Sequence, residues 1–150
     1  MSLQIRVPGV PAPQGSKRHV GRGRLIEQSK RVGPWRDAVR AATMAELGGK
    51  PYTYGAAAAP LVVHVEFYMP RPLTHYGTGR NAGIIRTSAP GRPATRPDVD
   101  KLARAVLDGL TAGGAYADDS QVVTLTASKY WAFDGRPPCA LITITAARGG

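Results

Sequence analysis

At 150 residues, 43 % of them hydrophobic, the chain has the length of one domain and enough apolar content for a core, which excludes a disordered tail. Twenty Lys and Arg against ten Asp and Glu give a net charge of +10, a balance that favours polyanionic partners, nucleic acid first, through counterion release. The single cysteine, Cys139, excludes an internal disulfide and a zinc site built on several thiolates, and with no leader-like or membrane-length apolar run a cytoplasmic protein is expected.

Leu3, Ile5 and Val7 alternate with polar residues and predict a half-buried strand ended by Pro8 and Gly9. The stretch from Pro11 to Arg24 carries Lys17, Arg18, Arg22 and Arg24, candidates to bind nucleic acid, without an acid, and its Gly and Pro spacing predicts a basic loop. From Pro34, apolar residues recur at Trp35, Ala38, Val39, Ala42 and Ala45, the spacing of a helix ending near Gly48. A strand follows at 61–69, with Leu61, Val63, Val65 and Phe67 on one side and Val62, His64, Glu66 and Tyr68 on the other. Residues 70–97 hold five arginines and no acid; a connection of that length is functional or mobile, and Arg80 and Arg86 within it are candidates to bind nucleic acid. A helix at about 100–112, a buried strand at about 121–131 and a last strand at about 140–146 complete the chain. The expected fold is a single α/β (α+β) domain, a small mixed sheet packed with two main helices and long basic loops.

Five of the ten acids fall between 98 and 119, namely Asp98, Asp100, Asp108, Asp118 and Asp119, whereas residues 1–97 carry fifteen Lys or Arg and four acids. Carboxylates gathered in one place repel each other and repel phosphate unless a cation neutralises them, and a metal ion is the natural cation. Asp98 and Asp100 stand two apart in a segment that Pro97 biases towards extended backbone, so both can reach one ion from one face. Oxygen donors alone select a hard cation, Mg2+ or Mn2+. The competing reading makes Asp100 a helix cap and Asp98 a solvated turn residue. A second acidic pair, Asp118 and Asp119, tips the balance towards a ligand set. Arg104 lies one turn beyond Asp100, placed either to hold a phosphate or to pair with Asp108. His19, His64 and His75 show no ligand spacing.

The run from Thr95 to Trp131 joins Asp-x-Asp-x-Leu, a Leu-Asp-x-Leu helix and an Asp-Asp-x-Gln turn, after an opening PxPQGSKR and a Trp-containing helix. It resembles the RusA family of Holliday junction resolvases. The resemblance implies magnesium held by Asp98, Asp100 and Asp119, with Asp118 auxiliary, and a homodimer of mixed α/β subunits that makes paired nicks in four-way DNA junctions. The family's lysine four residues after the second aspartate is Arg104 here, and its frequent Asn after that aspartate is Lys101, a candidate DNA contact; Lys129 is a candidate to supply the amine instead. The alternatives are a basic nucleic-acid-binding module without catalysis and a nuclease for other branched DNA. Strand 61–69 and the helix from Pro34 could supply the dimer interface or be used in the monomer's own core.

Overall fold

The computed structural model describes residues 2–15, 17–20, 24–27, 30–52, 58–133 and 135–148, with backbone alone for 17–20 and 24–27. Six strands and two long helices occur among them: β1 (Ser2–Pro8), β2 (Lys17–Val20), β3 (Arg24–Glu27), α1 (Val32–Leu47), β4 (Leu61–Met69), α2 (Val99–Ala112), β5 (Val122–Trp131) and β6 (Cys139–Ala146). The main sheet runs β1-β6-β4-β5 and is mixed, β4 pairing in parallel with β5 and antiparallel with β6. This is the expected α+β architecture.

Period-two sequence becomes one buried face. Leu3, Ile5 and Val7 of β1, Leu61, Val63, Val65 and Phe67 of β4, and Ile142 and Ile144 of β6 all enter the core. Both helices cover that face. α1 contributes Trp35, Val39, Thr43 and Leu47, and α2 contributes Leu102, Ala105, Val106 and Leu110. The helices approach closely because Gly109 and Gly113 face them: a Cβ on either would lie 2.7 Å from Val39 or Thr43, respectively. Val62, His64, Glu66 and Tyr68 project from the opposite face of the sheet, where they are half-buried and no helix among the described residues covers them.

Three expectations need correction. The stretch expected to be a basic loop contains a two-stranded hairpin, with Lys17 paired to Glu27 and Val20 to Arg24; β-branched and aliphatic residues at 20 and 25–26 supply strand propensity that the glycines obscured. The 122–131 strand is an edge strand, not a buried one, and its Val123 and Leu125 are 59 % and 41 % exposed. Helix α1 begins at Val32, two residues before Pro34, since a proline within the first turn forfeits no internal hydrogen bond. The alternative left open for α1 and β4 is resolved as well: their apolar faces pack in the chain's own core.

Candidate active site

Parallel strands need a crossover, and the 70–121 segment, with α2 at its centre, supplies it between β4 and β5. The helix therefore starts near the ends of β4 and β5 where Met69 and Trp131 pair. A lysine on β5 fixes that start: Lys129 Nζ donates to the carbonyls of Thr95 at 2.7 Å and Pro97 at 2.8 Å. Asp98 follows in extended backbone (φ −70°, ψ 140°) as the N-cap residue, yet its side chain makes no cap bond. Its carboxylate faces Lys101 Nζ at 3.9 Å. Asp100 lies exposed in the first turn, where the helix dipole favours an anion. The opening PxPQ segment reaches the same turn, Gln14 N–H donating to the Lys101 carbonyl at 3.0 Å while Arg36 donates to the Gln14 side chain at 3.3 Å.

The second acidic pair stands beside the middle and far end of the same helix. After α2 the chain turns back, tied by Tyr116 Oη donating to the Leu107 carbonyl at 3.0 Å. A short 3-10 turn, Asp119–Gln121, follows with Asp118 as its cap, accepting from Ser120 N–H at 2.8 Å. Gln121 completes the turn: its Oε1 accepts from Ala117 N–H at 2.9 Å and Asp118 N–H at 3.1 Å, and its Nε2 donates to the Ala59 carbonyl at 3.0 Å. The hydrogen bonds from Ser120 hold the Asp118 carboxyl below its ordinary range. Asp119 shifts the other way. Desolvation, the shared hydrogen bond with Asp118 and the charges of Asp118 and Asp108 raise its pKa, and Arg104 opposes them only in part.

Asp108, Asp118 and Arg104 thus all act electrostatically on Asp119, while Asp98 and Asp100 sit at the start of α2. Arg104 links the two groups, one turn beyond Asp100 and near Asp119. Among the described residues, no three acids or histidines are close enough together to hold a metal ion. Of the basic candidates, Lys101 is beside Asp98; Arg80 is exposed; Arg86 is exposed and tied to its own loop by Nε donating to the Tyr76 carbonyl at 2.9 Å. Lys17 and Arg18 lie on β2 and Arg24 on β3, and Arg22 lies outside the described residues. Sequence reasoning passed over Gln121 and Gln14 as positioning residues. For Gln121 the signal was present in the Asp-Asp-x-Gln spacing, since Gln at the third position of a turn capped by Asp is a capping-box pattern.

No curated protein matches the chain. A sequence profile of the family described as Endodeoxyribonuclease RusA matches residues 8–144. That span takes in the Gln14 anchor, both acidic pairs and every strand from the end of β1 to most of β6, and on it the chain belongs to the RusA endodeoxyribonuclease family.

Proposed function

We propose that this chain resolves four-way DNA junctions by paired, metal-dependent nicks, in recombination and repair, with Asp98, Asp100 and Asp119 as the ligands of Mg2+ (or Mn2+) and Asp118 auxiliary. One observation carries the reading: in a chain of net charge +10, both acidic pairs flank a single helix whose start is fixed by Lys129 and Gln14. The donor chemistry fits a hard cation, being carboxylate oxygen throughout, and Asp119, desolvated and beside the charges of Asp118 and Asp108, has its pKa raised. Among the described residues the three carboxylates do not converge on one point in this conformation. When bound, such an ion supplies Lewis-acid stabilisation of the phosphodiester and an activated water.

The chain's own residues have separable roles in this proposal. Lys129 uses two of its three donors on backbone carbonyls, which makes it a positioning residue for the approach to Asp98. Arg104, exposed between the acidic groups, is placed to hold a non-bridging phosphate oxygen as charge develops. Lys101, Arg80 and Arg86, with the basic hairpin, hold the DNA backbone and set the salt dependence.

The test is cleavage of a synthetic four-way junction with and without Mg2+, alongside calorimetric titration of the metal. Asp98→Asn, Asp100→Asn and Asp119→Asn should each lower the cleavage rate by roughly a hundredfold or more and weaken metal binding, leaving junction binding intact or tighter. Wild-type activity in any one removes that residue from the ligand set. Binding without cleavage under all metal conditions would favour a module that only binds, and equal cleavage of flaps and junctions a nuclease for branched DNA in general.

A further inference from the structure

The open face of the sheet ends in an aromatic cluster that the acidic site does not use. Tyr68 on β4 and Tyr130 on β5 are register partners whose rings stack at 5.5 Å between centroids and 22° between planes. Phe133, just past β5, leans on Tyr68 at 5.7 Å and is nonetheless 64 % exposed. Its ring stands between two cavities. One, about 480 Å³, is lined by Glu66, Tyr68, Arg71, Tyr130 and Phe133 among others. The other, about 250 Å³, includes Arg6, Tyr68, Phe133 and Arg136. The arginine Cζ atoms nearest the cluster already lie over rings, Arg92 at 4.3 Å from the Tyr130 centroid and Arg71 at 5.1 Å from that of Trp131.

We propose that this aromatic face is a stacking platform for an unpaired nucleobase of the DNA substrate, a base displaced from its helix at or near a branch point. Leaving a large aromatic ring exposed is unfavourable unless something covers it, and the surrounding charges choose the occupant. Arg6, Arg71, Arg92 and Arg136 ring the cluster, which suits a strand carrying phosphates. In a two-fold contact between copies of this chain, those arginines would be brought against one another, which costs affinity. Glu66 narrows the choice further. Its carboxylate accepts from Tyr68 Oη at 2.6 Å and lines the larger cavity, where it would repel a phosphate but accept a hydrogen bond from the exocyclic amine of cytosine or adenine. Arg71 also lines that cavity, its guanidinium held in place by Nη1 donating to the Pro90 carbonyl at 3.2 Å, which sets a positive charge beside the base site. Stacking on a ring is tolerant of sequence because every base has a π-face, so the platform would recognise the unpaired state before base identity.

The platform rests on the reading of the chain as a DNA-binding nuclease, and its test separates the two. Binding is measured in EDTA, so that cleavage plays no part, with three probes: a single strand containing 2-aminopurine, the same strand with abasic sites, and an intact four-way junction. Wild-type protein should bind the intact strand about tenfold more tightly than the abasic one and quench the 2-aminopurine. Phe133→Ala and Tyr130→Ala should remove most of that preference, whereas Tyr130→Phe, which keeps the ring, should retain it; Phe133 is exposed enough that its loss leaves the core untouched. Unchanged preference in Phe133→Ala, with normal junction binding, overturns the platform alone. Loss of all binding by the wild type overturns the DNA reading with it. A wild-type dimer that dissociates on Phe133→Ala assigns the face to self-association and likewise overturns the proposal.

Discussion

Asp119 holds its proton longer than an isolated aspartate, first because burial desolvates it and then because it shares a hydrogen bond with Asp118 and feels the charges of Asp118 and Asp108, which Arg104 offsets only in part. Replacing Asp108 with Asn removes one of those charges, so the Asp119 pKa should fall while the carboxylate itself remains. Site-resolved NMR titration of the aspartate carboxyls reads this directly, and an unmoved Asp119 would mean that the two groups do not interact. Cleavage should suffer far less in Asp108→Asn than in Asp100→Asn. A second titration tests the open face of the sheet. The pKa of the Tyr68 hydroxyl is pushed up from its ordinary 10.0 to about 12, first by its hydrogen bond to the Glu66 carboxylate and then by burial. A group whose folded pKa is raised adds stability that is complete below the unfolded pKa and disappears as pH climbs through the folded one. The Tyr68 contribution should therefore be intact up to about pH 10 and vanish towards pH 12. Tyrosinate absorbance should show ionisation delayed beyond that of exposed tyrosines, and Glu66→Gln should advance one tyrosine; no change in that variant would remove the hydrogen bond as the cause.

The contact between α1 and α2 depends on a missing methyl group. Gly109→Ala would push a Cβ to 2.7 Å from Val39 and 3.1 Å from the Arg36 carbonyl, an overpacking that should cost about 1 to 3 kcal/mol in urea denaturation. Gly33, also helical, would meet nothing within 4 Å beyond its chain neighbours, but it precedes Pro34, whose ring disfavours helical backbone at a residue with a Cβ, so Gly33→Ala should cost less than Gly109→Ala without stabilising the chain. Equal effects of the two would show that propensity, not approach, governs both sites. The periodicity that located β1, α1, β4, α2 and β6 was legible because each buries a single face, leaving a clean signal in the sequence. Two features were not. The β2 and β3 hairpin is short and punctuated by glycine, so local composition spoke for a loop, and β5 carries the Val and Leu of a buried strand although it lies at the sheet edge. Edge position is set by the order in which strands pair, and no local pattern encodes that order. The same limit applies to the site. Sequence spacing identified every acid near α2, but whether Asp119 stands beside Asp100 or beside Asp108 depends on how the chain turns back at Gly113 to Tyr116.

For the whole molecule, the arrangement of charge and apolar surface constrains how it could act on a branched substrate. A four-way junction has approximate two-fold symmetry and needs cuts on two opposed strands, and a chain with a single acidic site offers one. A C2 homodimer would present two equivalent sites symmetrically about the branch. The apolar faces of α1 and β4 are not available for that contact, since both are packed in the chain's own core. What β5 leaves exposed, with Val123 and Leu125 on a strand whose outer edge carries no further strand among the described residues, is apolar enough to bear on self-association. The proposed dimer predicts a specific kinetic signature. Wild-type chains mixed with Asp100→Asn chains, then given a junction extruded in a supercoiled circle, should produce nicked circles in proportion to the heterodimer fraction, because one active subunit cuts one strand and the released supercoiling removes the junction before a second encounter. Wild-type dimers alone should yield linear product in one binding event. A solution mass of one chain with and without DNA, or linear product at the wild-type ratio from the mixed population, would mean that a single site makes both cuts.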